Sequence, residues 1–444
     1  MAIENRDELA TTPARETALS CVAAGIEAAL PERVVANRVA LDGGVLTVAD
    51  ARYDLDSFST VLLVGAGKGS GRLAAALVDA LDGRVDGGVV VTDEPTDASP
   101  VDVLVGDHPV PTVRNVDAAR RIRDCVADAP DDALVLVALT GGASALLTLP
   151  AGDLTVDDLA GVTRDLLDAG ASVSALNAVR KHCSAVKGGR LARTAVPARL
   201  VTLAISDVVG DDPSVVGSGP TVPDGTTYAD AAAVLDRYDV PAPTVREHLQ
   251  RGVDGTEPET PRTDDPAFDR AGYHVLANAE TALSAAAAVA RERGCEPLVL
   301  STSVEGEARE AGRFHAAVAR EIRATGQPVD PPAVLLSGGE CTVGVHGDGA
   351  GGPNLEFGLA AALDLCGSDD VAVAAVDTDG RDGSTDAAGA LVDGATVDDT
   401  AAARDALADN DSLGYLDGRD AVLRTGATGT NVNDLRVVVV EREQ

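Results

Sequence analysis

Three residues of this chain stand out chemically: Lys68, Lys181 and Lys187 are its only lysines, and all its other basic side chains are arginine. A compact ammonium and a guanidinium fork are not interchangeable, so a lysine kept where arginine is the default is a candidate working group. Lys68 lies in Val64-Gly65-Ala66-Gly67-Lys68-Gly69-Ser70-Gly71, directly after the apolar run Val61–Val64. Bare amides at a strand-to-helix turn bind anions, and an ammonium there adds a point charge for a phosphate. Lys181 and Lys187 flank a second basic segment that begins at Arg180 and ends at Arg190.

Four further loops carry candidate groups. Thr140-Gly141-Gly142-Ala143-Ser144 offers free amides and two hydroxyls, suited to a carboxylate or phosphate, or to a tight turn alone. Ile205-Ser206-Asp207 places an aspartate at a strand end, where it could hold Mg2+ or take a proton. Asp211 and Asp212 read as solvated charges. In Gly349-Ala350-Gly351-Gly352-Pro353-Asn354 the glycines lead into a helix, with Asn354 as its N-cap or as a ligand contact. Asp377-Thr378-Asp379-Gly380-Arg381-Asp382 clusters carboxylates as a Mg2+–phosphate site does. It is no calcium-binding EF-hand, because Arg381 and Ala388 occupy ligand positions. The Lys68 loop is neither a Walker A motif nor a strict dinucleotide fingerprint, whose third glycine is replaced by Ser70. His108, in Gly106-Asp107-His108-Pro109-Val110-Pro111, has no neighbouring ligand residue and reads as structural. No Gly-x-Ser-x-Gly elbow is present.

Short unbroken apolar runs position these loops. Strands are expected at 61–64, 88–92, 101–105, 133–139 and 200–205, with helices at 70–82, 113–127, 155–168, 172–186 and 227–238 between them. A first helix should start at Thr12-Pro13 and bury Leu19, Val22, Ile26 and Leu30. This is the pattern of a parallel sheet covered on both faces, with ligands at the C-terminal ends of its strands. The Pro/Asp/Thr-rich stretch 251–266 reads as a linker. The alternation then restarts, with strands at 273–277, 297–301, 333–337, 371–377 and 435–440 and helices at 280–293, 305–324, 354–365 and 397–407. The expected fold is α/β: a Rossmann-like parallel-sheet domain over 1–255 and a second α/β domain over 270–444.

The formal net charge is −35 with 45% hydrophobic residues, so a globular core lies under a strongly acidic surface. That excludes nucleic acid and anionic membrane as partners. Six scattered cysteines without Cys-x-x-Cys spacing predict reduced thiols in a cytoplasmic protein. Neither a signal peptide nor a membrane span is expected.

Taken in order, eight segments resemble the glycerate 2-kinase family: Gly65–Lys68, Gly106–Pro111, Leu139–Ser144, Asn177–His182, Lys187–Leu191, Ile205–Val208, Ser337-Gly338-Gly339-Glu340 and Asp377–Gly380. The resemblance implies a C-terminal MOFRL domain, an interdomain cleft, and ATP-dependent phosphorylation of D-glycerate at its 2-hydroxyl. It implies that Lys68 stabilises the moving phosphoryl group and that Asp207 receives the hydroxyl proton. Asp207, Asp377 and Asp379 would hold Mg2+. Gly141, Gly142, Ala143, Ser144, Arg180 and Lys187 would bind glycerate, and Gly65, Gly67, Ser337, Gly338, Gly339 and Asn354 would bind the nucleotide. Pro353 stands where the family pattern has an arginine, and Arg180, Arg190 and Arg381 are candidates to replace that charge. The residues also allow a hydroxypyruvate reductase or a non-catalytic nucleotide-binding relative. A homodimer is compatible with the pattern.

So acidic a surface self-repels and needs counterions, as in the cytosol of a halophilic archaeon. The melting temperature is expected to rise steadily as KCl increases from low to molar concentration, and a flat melting curve would remove the salt-adaptation reading.

Overall fold

The computed structural model of the protein describes residues 3–368 and 370–442. The chain forms two compact units. One is Pro31–Leu276; the other joins Met1–Leu30 to Ala277–Gln444.

The Pro31–Leu276 unit opens with a small antiparallel meander, β1 (Val39–Asp42), β2 (Val45–Val48) and β3 (Ala51–Asp54). Four-residue strands carry too little periodicity to be legible in sequence. The main sheet comprises β4 (Val61–Ala66), β5 (Gly87–Thr92), β6 (Val101–Val105), β7 (Leu134–Leu139), β8 (Arg199–Ile205) and β9 (Ala271–Ala277). Its order is β6-β5-β4-β7-β8-β9, and every pairing from β6 to β8 is parallel. This is the doubly wound order, whose direction of winding reverses between β4 and β7. β7 is buried at every residue, as a strand covered on both faces must be.

The expected helices form with side-chain caps. Thr112, Thr155 and Thr227 each close a capping box, with Asn115, Asp158 and Asp230. The helix expected over 172–186 ends at His182, after which Ser184 bridges to Pro150 and the chain turns through Gly188 and Gly189, both at positive φ.

The expected domain limits differ from the observed ones at both ends. β9, expected in the second half, is the sixth strand of the first sheet. The stretch 251–266 is anchored to the first unit. The Glu259 carboxylate accepts the Tyr228 and Thr260 N–H groups and contacts His182 Nε2, and Arg262 donates to the Asp224 carbonyl. Its lack of periodicity reflects extended backbone held by side chains. The helix Pro13–Ala28, capped by Thr12 as expected, belongs to the other unit. Its Leu19, Val22 and Ile26 share a core with Leu283, Ala287, Val437 and Val439, while Leu30 lies beyond the helix and is half-buried.

That other unit is built on β10 (Glu296–Glu307), β11 (Ala333–Thr342), β12 (Val371–Asp377), β13 (Gly389–Asp393), β14 (Val422–Leu423) and β15 (Asp434–Val440). The order is β10-β11-β15-β12-β13-β14, and only β10–β11 is parallel. The final strand inserts between β11 and β12 and makes the sheet mixed. Among the described residues no helix is long and apolar enough to cross a membrane.

Gly65 tests the packing of the first sheet, since a Cβ there would lie 2.3 Å from the Ala138 carbonyl oxygen. Gly65→Ala is expected to cost roughly 1–3 kcal/mol. Gly161→Ala, in a helix with open space around it, should be neutral or slightly stabilising. Denaturant midpoints in high salt compare the two.

Candidate active site

The winding reversal brings the loops after β4 and β7 side by side. Gly67 adopts φ +136°, and a Cβ there would sit 2.2 Å from Thr140 Oγ1. Because both glycines lack a Cβ, the Lys68 N–H reaches the Gly141 carbonyl at 2.8 Å and the Gly69 N–H reaches Thr140 Oγ1 at 3.0 Å. The Lys68 carbonyl accepts Thr92 Oγ1 at 2.8 Å. Ser70, in the place of a third glycine, is buried and donates to the carbonyls of Gly67 and Val91. Lys68 is thus fixed at its backbone on three sides, and its side chain is half-buried. Gly65 and Gly67, expected to bind nucleotide, have a sufficient reason in this packing.

Gly142 ends the β7 loop at φ +83°. A Cβ on it would meet Lys68 Cγ at 3.0 Å and His108 Cδ2 at 3.1 Å. His108, read from sequence as structural, is therefore exposed beside Lys68. Its motif was visible in the sequence, but its neighbours were not. Asp107 and Asn115 fasten that loop: Asn115 Oδ1 accepts the Asp107 and Thr112 N–H groups, and Asp107 pairs with Arg114.

Ser144 continues the site. Its hydroxyl lies 3.0 Å from that of Ser218, which donates to Asn177 Oδ1 at 2.9 Å. Asn177 and Arg180 belong to the helix Val173–His182. Lys187 Nζ donates only to the Gly217 carbonyl, at 3.4 Å. Arg180, Lys187 and Ser144 line one cavity of about 290 Å³. Among the described residues no carboxylate pairs with either cation. Burial, reinforced by the Arg180 charge, pushes the Lys187 ammonium down to about 7. Burial lowers Arg180 too, yet a guanidinium keeps its proton. Two desolvated cations without an acid form an anion site.

The two neighbouring lysines are now distinguished. Lys181 is buried against Asp224 Oδ1 at 3.2 Å. Arg190, one candidate replacement charge, donates to the Lys181 carbonyl and to Tyr228 Oη. Both hold the fold, whereas Arg180 and Lys187 face the cavity. Asp207 follows β8 at the same sheet edge and is half-buried. Its charge and those of Asp211 and Asp212 add to the burial that raises the Tyr273 phenol.

In the other unit, Ser337, Gly338 and Gly339 do not form a loop, because β11 runs on to Thr342. Ser337 is fully buried, with its hydroxyl 2.8 Å from His315 Nε2. A Cβ on Gly339 would strike Val304 backbone at 2.3 Å. These residues are sheet interior, and the expected nucleotide contacts at Ser337 and Gly338 face packed neighbours. Asn354 is not the N-cap of the helix Pro353–Leu365; Gly352 is. Asn354 is buried and its amide donates to Asp382 and Asp434. Asp382, part of the expected carboxylate cluster, instead caps that helix by accepting the N–H groups of Asn354 and Leu355. Burial pushes its carboxyl up to about 7. Asp434 pairs with the buried Arg436. Glu356, in the first turn after Pro353, pairs with Arg309 at 2.7 Å. Asp377 and Asp379 each accept a backbone N–H two residues on. Arg381 contributes only its backbone N–H to that turn and is exposed. Among the described residues no three His, Cys, Asp or Glu side chains converge to hold a metal ion.

Residues 17–250 match the family described as "Domain of unknown function (DUF4147)", and residues 333–434 match the MOFRL family. Over 433 residues the chain is 36% identical to a D-glycerate 2-kinase of Thermotoga maritima, covering 96% of this chain and 98% of that one. The chain belongs to the glycerate kinase family. A crystal structure of glycerate kinase from the same bacterium superimposes with a TM-score of 0.83 at 35% identity, covering 96% of this chain and 99% of the other. A relative in Agrobacterium vitis, 45% identical over 85% of this chain and 87% of its own, carries the name "Putative hydroxypyruvate reductase". Within the glycerate kinase family, the Lys68 turn and the Arg180–Lys187 cavity of this chain share one unit and one sheet edge.

The position of Lys187 near 7 fixes a sign. Below about 7 it is charged and attracts a carboxylate; above, binding an anion must also take up a proton. Lactate affinity measured by calorimetry should be flat below that pH and fall by up to about tenfold per pH unit above it. Lys187→Met should flatten the profile.

Proposed function

We propose that the protein is a glycerate kinase that transfers the γ-phosphoryl group of ATP to the 2-hydroxyl of D-glycerate. The observation that carries this reading is the pair of cations without a carboxylate partner among the described residues, half-buried Arg180 and buried Lys187, in a cavity also lined by Ser144, which follows the Gly141–Gly142 turn in the chain. Phosphoryl transfer is mainly positioning and charge neutralisation. Arg180 and Lys187 hold the glycerate carboxylate, with Ser144 and the Gly141–Gly142–Ala143 turn around it. Lys68, held by its backbone at the winding reversal, meets the charge that develops on the phosphoryl oxygens. Asp207, at the same edge, accepts the hydroxyl proton as the oxygen attacks.

Mg2+ binds through one or two carboxylates plus phosphates and waters. Asp377 and Asp379, each oriented by an N–H group, fit that requirement within their own unit, and Asp207 is the candidate carboxylate of the β8 edge. The ion would supply neutralisation of phosphate charge. The site residues and the metal are part of this proposal, as are a halophilic cytoplasm and a homodimer.

The reductase reading has a specific observation against it. Ser70 is tied by two hydrogen bonds into the turn where a dinucleotide fingerprint needs its third glycine. Assays with ATP, Mg2+ and D-glycerate, and separately with NADH and hydroxypyruvate, should show turnover only in the first, with phosphorus NMR identifying the 2-phosphate. Lys68→Ala should lower kcat by roughly 100-fold or more with an unchanged melting temperature. Lys68→Arg should rescue little of it, since a guanidinium cannot occupy the same point. Near-normal turnover of either variant would remove Lys68 from the mechanism.

A further inference from the structure

The Arg180–Lys187 cavity is larger and less polar than glycerate requires. Its volume of about 290 Å³ is close to the lower limit of roughly 300 Å³ for clefts that take drug-sized ligands. Its cations lie in one region, with Ser144. Most of the remaining wall is apolar, with Pro109, Pro111, Leu159, Val162, Leu167 and Val179 beside the hydroxyls of Thr148 and Thr163. Leu167 is 56% exposed and the neighbouring Val110 is 53% exposed, on a chain whose surface is otherwise strongly acidic. The other charged lining residues, Arg164 and Asp168, are exposed to solvent.

A three-carbon acid carrying two hydroxyls would satisfy the cations and leave the apolar wall wet. A carboxylate with an aliphatic body would satisfy both, because its head pairs with Arg180 and Lys187 while its methylenes displace water from Leu159, Val162 and Val179. We infer that this cavity binds 2-hydroxy monocarboxylates bearing an aliphatic side chain, and binds them more tightly than their short-chain analogues. The inference rests on the same anion site as the proposed function and extends its ligand class. It assigns Ala160, which lines the cavity from the helix Val156–Asp168, to the part that receives the aliphatic tail.

Calorimetry on the full chain in high salt tests it without catalysis. Lactate, 2-hydroxybutyrate and 2-hydroxyisocaproate share the carboxylate and the 2-hydroxyl and differ only in the tail. The dissociation constant should fall along that series, by roughly tenfold or more between its ends, with a heat-capacity change that becomes more negative as the tail lengthens. Ala160→Phe should fill the tail region and cut the ratio between lactate and 2-hydroxyisocaproate affinities at least fivefold. If that variant does not fold, Ala160→Leu is the smaller filler with the same expected direction. Equal affinities along the series, or a ratio unmoved by a folded Ala160 variant, would overturn the inference. Turnover of D-glycerate is scored separately. Turnover together with a flat series would remove this inference and leave the kinase reading intact. No turnover together with a steep series would do the reverse.

Discussion

The backbones of β4 and β7 approach one another at the reversal of winding more closely than side chains would allow. Gly65 against Ala138 and Gly67 against Thr140 set that distance. The placement of Lys68 follows from it. The Lys68 N–H can reach Gly141 only because the two loops touch, and Gly142 can carry Lys68 and His108 on its flank only because it has no Cβ to displace them. A parallel sheet supplies the edge, while the missing Cβ atoms decide which loops of that edge act together.

The anion site is built by a different logic. The helix Val173–His182 carries two kinds of basic residue on neighbouring positions. Lys181 and His182 point into a network with Asp224, Glu259, Arg190 and Tyr228, where every charge has a partner. Among the described residues Arg180 and Lys187 have no carboxylate partner. The network holds the helix, and the unpaired cations are held out of water by the structure it fixes. In the other unit a comparable buried set, Asp382, Asn354, Asp434 and Arg436, ties the start of the helix Pro353–Leu365 to β15.

Much of this was legible in the sequence, for definable reasons. Strands β4 to β8 are short, mainly apolar runs, and three of the longer helices between them announce their starts with Thr112, Thr155 and Ser172 caps, so these elements and edge loops could be read directly. Three things could not. The meander β1–β3 is too short to show a period. The stretch 251–266 looks like a linker because its order comes from Glu259 and Arg262, whose partners lie far away in the chain. Ser337–Gly339 looks like a ligand loop because a glycine required by a neighbouring strand and a glycine required by a phosphate are the same letter. Within the site, Lys68 was identifiable from its turn, whereas the split between Lys181 and Lys187 depended on where Asp224 folds back. His108 and Asp382 acquire their places only through contacts that no local spacing encodes.

The division of the chain also has a temporal side. The helix Pro13–Ala28 is synthesised before the whole Pro31–Leu276 unit, yet its core partners, Leu283, Ala287 and the strand β15, all come after that unit. Roughly 250 residues separate it from Leu283 and roughly 400 from β15, about 20–80 s to the strand at the usual 5–20 residues per second. During that interval the complete Pro31–Leu276 unit can fold, while Leu19, Val22 and Ile26 have nothing to pack on. The protein is therefore born with one finished half and one waiting hydrophobic helix. A cell that makes it must shield that helix until the last strand arrives.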